Sequence, residues 1–182
     1  MNDSCHWVMW SLVSYSRCHL VCNLAHMKSA SLAQVRKELK TLSREELLDL
    51  IDKLAKYKRD NKELLNYLLF ESLDEDSYVE AIKQDVTEAF ESTNTRGFYL
   101  AKKSIRRALR IANKYIKYSD VPETELDVLL HFCEELRGLD IDYRRSKVMV
   151  NLYERQLVKI NDIYNDLHED LQFEFRDRIE SL

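Results

Sequence analysis

The sequence predicts an all-α protein, and three observations carry that reading. Glycine occurs twice and proline once in 182 residues, far below the usage of sheet proteins, whose tight turns need both. Charged residues make up 33% of the chain and are of the kinds that suit solvated helix faces. Apolar residues, 45% of the chain, recur at three- and four-residue steps rather than in alternation. The expected architecture is six or seven helices stacked as antiparallel hairpins, either HEAT- or armadillo-like or an irregular bundle.

Each element follows from local chemistry. Leu32, Val35 and Leu39 give an amphipathic turn or two. Ser43 and Glu46 form a capping box, with Leu42 placed to staple onto Leu47. Leu47, Leu50, Ile51 and Leu54 then run at helical spacing to about Arg59. A helix restarts near Asn61 with Leu64, Leu65, Leu68 and Leu69 inside it. The acidic run DED opens the next, whose core side is Val79, Ile82, Val86 and Phe90. STNTRG is the clearest loop, and a long helix follows from Phe98 to Tyr118. Pro122 in the first turn and Gly138 past the end bracket another, with Leu126, Leu129, Leu130, Cys133 and Leu136 on its core side. Leu157, Ile160, Tyr164, Leu167 and Leu171 continue the pattern as one long helix, or as two with Asp166 and Glu169 capping the second. An internal echo sets Tyr57, Glu63, Leu68 and Phe70 against Tyr118, Glu125, Leu130 and Phe132. Both a helical repeat and shared hairpin chemistry account for it.

The first 26 residues differ from the rest. They hold both tryptophans, three of the four cysteines and three of the five histidines, but only two charged residues, Asp3 and Arg17. A secretory signal would need a basic start and an unbroken apolar run, and Arg17 interrupts this one. Cys18, Cys22 and His26 at four-residue steps suit zinc by ligand type but lack a fourth ligand. The expectation is that residues 1–26 are a spurious or disordered extension, that the native protein starts at Met27, and that 27–182 form a single helical domain.

The strongest local signal is a basic helix face. Lys102, Arg106, Arg110 and Lys114 recur at strict four-residue steps, flanked by Lys103, Arg107 and Lys117, with no acid between Phe98 and Tyr118. Ala101, Ile105, Ala108, Leu109, Ala112 and Ile116 mark the opposite, core-facing stripe. Such a face neutralises an acidic partner or phosphates, and Tyr99 and Tyr118 would add stacking. The acids of the helices before and after it, among them Glu80, Asp85, Glu88, Glu125, Asp127 and Glu134, are the competing partners. Net charge is −4, so no global field favours nucleic acid.

Other chemistry is sparse. Two distant glycines exclude a phosphate-binding loop and a dinucleotide fingerprint. Glu-x-x-His and His-Glu-x-x-His metal motifs are absent. Asp127, His131 and Glu135 share one helix side, and Asp162, Asp166, His168, Glu169 and Asp170 cluster in sequence; a polar flank and a helix-start acid cluster are the plainer readings. Cys133 falls on a leucine face, the place of a buried, inert thiol.

The stretches LSREELLDLIDKLAKYKRDNKELLNYLLFE and NLYERQLVKINDIYNDLHEDLQFEF resemble a family of small, uncharacterised, all-helical bacterial proteins. The resemblance covers most of the chain from Met27 and implies a bacterial, cytoplasmic, helical protein, without assigning an activity. The sequence thus points to a non-enzymatic interaction or scaffold protein without cofactor, metal or membrane, binding an acidic protein partner through the basic helix. The alternatives are nucleic acid on the same face, or an enzyme using His131 or the 162–170 cluster.

Overall fold

The structure, a computed structural model, describes residues 29–93 and 98–182. All regular structure among them is helical. The chain divides into two compact units after Leu47.

In the first unit, α1 spans Leu32–Leu39. Ser31 and Gln34 cap it reciprocally: the Gln34 N–H donates to Ser31 Oγ, and the Ser31 N–H donates to Gln34 Oε1 at 2.9 Å. This box makes a full helix of what the sequence read as a turn or two. The predicted Ser43–Glu46 box starts α2, Arg44–Tyr57, whose residues from Leu48 onward belong to the second unit; the Ser43 N–H donates to Glu46 Oε2 at 2.8 Å. That backbone bond, with the Ser43 hydroxyl, holds the Glu46 carboxyl below its ordinary range.

In the second unit, Lys58 is extended and separates α2 from α3, Arg59–Asn66. A π-helical turn, Tyr67–Glu71, follows; it buries Tyr67 and leaves Leu68, Leu69 and Phe70 exposed. Then come α4 (Glu75–Glu91), α5 (Phe98–Ser119) and α6 (Pro122–Gly138). A 3-10 turn at Tyr143–Arg145 leads to α7 (Lys147–Asp166) and α8 (Glu169–Glu180). Helices α4, α5 and α6 each pack on the other two, and α6 also receives α7 and α8. That central position explains the apolar run VLLHFC: Val128, Leu129, Leu130, Phe132 and Cys133 are all 0% exposed. A helix apolar on several sides has to be enclosed on several sides, and each buried leucine contributes about 2 kcal/mol.

One end of the three-helix arrangement is tied by Glu75 in the first turn of α4. Tyr67 Oη (2.9 Å), Thr124 Oγ1 (2.6 Å) and Ser119 Oγ all donate to its carboxylate. The α5–α6 turn passes through Asp120 at φ 56°, a left-handed conformation that Asp tolerates better than most side chains, and Pro122 then opens α6.

Several expectations change. There are eight α-helices among the described residues, not six or seven, because the Ser31 cap completes α1 and the last segment breaks. The break falls after Asp166, but His168 is the cap: its side chain accepts from the Asp170 N–H, while Leu167 is extended. The internal echo carries no repeated packing, since Leu68 and Phe70 are exposed where Leu130 and Phe132 are fully buried. The start at Met27, the Cys18–Cys22–His26 row and most of the STNTRG loop lie outside the described residues.

Candidate functional site

Helix α5 faces inward with Ala101, Ile105, Ala108, Ala112 and Ile116, all buried. Three alanines in that stripe let the helix approach α4 and α6 closely. The seven predicted cations occupy the other side, spread over roughly 140° of arc at 100° per residue. Lys103, Arg106, Arg107, Arg110 and Lys117 are exposed; Lys102 and Lys114 are half-buried. Lys102 Nζ sits 4.8 Å from the centre of the Phe98 ring, and Arg110 Nε donates to the Arg106 carbonyl at 3.3 Å. Tyr99 and Leu100 are exposed beside them.

The face is not uniform. At one edge Lys114 Nζ pairs with Glu63 of α3 at 2.8 Å, and Tyr118 Oη donates to the same carboxylate at 3.3 Å. Burial pushes the Lys114 ammonium down, but the bond to Glu63 outweighs it and leaves the group above its ordinary range. Burial, with the Glu63 charge, pushes the Tyr118 hydroxyl up to about 12. Tyr118 is therefore a partner of α3 and not the exposed stacking platform the sequence suggested. Arg107 shares a cleft of about 300 Å³ with Asp85 and Glu88 of α4. Among the described residues Lys114 alone of the seven cations makes an ion pair.

Three acids of α6 are bonded elsewhere. Asp127 accepts from Arg178 Nη1 at 2.5 Å and pairs with Lys83 at 2.7 Å. Glu134 takes the Nε and Nη2 of the same Arg178, at 2.9 and 3.0 Å, as a two-pronged bridge from α6 to α8. Glu125 pairs with Lys159 of α7. Burial pushes the Asp127 carboxyl up, and the bonds from Arg178 and Lys83 overcome it, holding the group below its ordinary range. These partners lie far away in sequence, so no local pattern in α6 announces them.

The other sequence candidates separate. Asp127 is drawn to Arg178 and Lys83, which leaves His131 with Thr87 and Glu135. Thr87 Oγ1 donates to Glu135 at 3.1 Å, so His131 Nε2, 2.8 Å away, donates to Thr87. Asp162, Asp166, His168, Glu169 and Asp170 are all exposed. His168 and Asp170 approach to 3.4 Å at the start of α8. Cys133 is fully buried, and burial pushes its thiol up to about 12, which keeps it protonated and unreactive. No group of three or more His, Cys, Asp or Glu among the described residues is arranged to hold a metal ion. No helix among them is long and apolar enough to cross a membrane.

No protein-family model, curated protein or solved structure matches this chain.

Proposed function

We propose that the protein is a non-enzymatic interaction protein that docks an acidic protein surface on the outer face of α5. One observation carries the reading: three of the five acids of α6, Glu125, Asp127 and Glu134, are bonded to Lys83, Lys159 and Arg178, while the ridge Lys102–Lys103–Arg106–Arg110–Lys117 makes no ion pair among the described residues. Arg106 and Arg110 offer planar forks for carboxylates. Exposed Tyr99 and Leu100 supply the aromatic and apolar contact of a protein interface. Exposed Asp85, Glu88 and Glu91 on neighbouring α4 would repel a long phosphate chain crossing that edge, so a compact acidic patch fits better than nucleic acid. The mutual packing of α4, α5 and α6 supports an irregular bundle as the scaffold rather than a solenoid of repeated hairpins.

The test is capture of partners from the native host on the full chain tagged at its C-terminus, with and without nuclease. The expected result is a protein partner that survives nuclease and is lost from the R106Q/R107Q/R110Q variant. Partners that disappear with nuclease, with affinity falling steeply as salt rises, would move the function to nucleic acid.

A further inference from the structure

Helix α2 carries an apolar stripe that stays partly exposed among the described residues. Leu50, Ile51 and Leu54 are 37%, 41% and 49% exposed, Leu47 is half-buried, and α2 has no buried residue. Leu48, 57% exposed, lies beyond one border of the stripe, and the stripe itself is a contact face without its contact.

Two features of the stripe specify what fits it. Its spacing reads the same in both directions: steps of three, one and three residues lead from Leu47 through Leu50 and Ile51 to Leu54. A two-fold axis midway between Leu50 and Ile51 lays an antiparallel second copy on these four side chains, Leu47 against Leu54 and Leu50 against Ile51. The charges on one border obey the same axis. Glu46 and Lys53 flank the same edge of the stripe, one toward each end, about 10 Å apart along the helix. Antiparallel pairing sets Glu46 of one copy near Lys53 of the other, twice by symmetry. In-register parallel pairing would instead leave each residue level with its own counterpart. Asp52 and Lys56 pair with each other at 2.5 Å on the far side and do not enter the contact.

We infer that the α2 stripe joins two copies of this chain as an antiparallel helix pair centred on Leu50 and Ile51. The inference is independent of the α5 reading, since it rests on a different helix.

Sedimentation equilibrium of the full chain in reductant tests it. The expected species has twice the 21.7 kDa mass of the chain. L50E weakens the dimer on the order of 100-fold, because a buried leucine is lost in both copies. Leu50 is already exposed in the single chain, so its helicity stays the same. K53E weakens pairing about threefold. E46Q, whose amide preserves the capping box, relieves the repulsion that K53E introduces, so the two substitutions are coupled. A chain that stays monomeric at about 100 µM, far above the dissociation constant of a stable dimer, overturns the inference. A monomer that instead binds anionic vesicles, a dimer indifferent to L50E, or one in which positions 46 and 53 are uncoupled also overturns it.

Discussion

Helices α5 and α6 pack on each other and use charge in opposite ways. On α6 three of the five acids pair with other helices: Asp127 and Glu134 hold Arg178 of α8, Asp127 also holds Lys83 of α4, and Glu125 holds Lys159 of α7. On α5 the cations face away from the core, and only Lys114 has an acid of its own among the described residues. The difference follows from burial. A helix enclosed on several sides can keep charges only where a partner neutralises them, whereas a helix with one inward stripe can leave them hydrated. The paired charges of α6 thus belong to stability, and those of α5 are assigned to encounter only by the proposed function. Each substitution below either moves the two helices toward one another in behaviour or widens the gap.

The largest effect is expected at the centre of α6. F132A removes a fully buried ring packed 5.4 Å from Phe90, and urea unfolding should show a loss of about 3–5 kcal/mol. R178A leaves Asp127 and Glu134 half-buried with a main partner gone; the expected loss is about 2–4 kcal/mol. E75A frees the hydroxyls of Tyr67, Ser119 and Thr124 from their shared acceptor and should cost about 2 kcal/mol in thermal or chemical unfolding. At the small end, R106Q, R107Q and R110Q should each stay within about 0.5 kcal/mol of the wild type, even as the three together abolish partner capture.

Acid should separate the helices in the same way. The Asp127 carboxyl sits below its ordinary range in the folded protein, so the unfolded chain takes up its proton first. The stability it contributes is complete above the unfolded value near pH 4 and is lost as pH falls through the lower folded value. Unfolding followed downward from pH 6 should show this loss in the wild type and a flatter profile in D127N. The triple α5 variant should follow the wild-type profile.

How much was legible in the sequence follows the same division. The inward stripe of α5 and the start of α6 could be read directly, because periodicity and Pro122 are local signals; Gly138, expected past the end, is instead the last residue of α6 and takes no positive φ, with Leu139 as the cap. The seven cations were legible as a face for the same reason. The fate of the α6 acids was not, because Arg178 and Lys83 reach them across 44 or more residues of chain. Tyr118 was misread as a stacking surface because its bond to Glu63 spans 55 residues. The break before α8 was anticipated at Asp166, yet the cap proved to be His168, a ring nitrogen acting where sequence reading favours a carboxylate. The echo between the two hairpins joins residues of opposite burial, Leu68 and Phe70 exposed against Leu130 and Phe132 buried, a difference that similar residue types do not reveal.

The measurement that bears most directly on the contrast between α5 and α6 is a paired one on R106Q/R107Q/R110Q: chemical unfolding of the purified full chain, and partner capture from the native host after nuclease. The expected result is unfolding close to that of the wild type, with the nuclease-resistant partner gone. A loss of more than about 2 kcal/mol would mean that these cations have partners inside the fold, and an intact partner would mean that the interaction lies on another face; either would contradict an outward-acting α5.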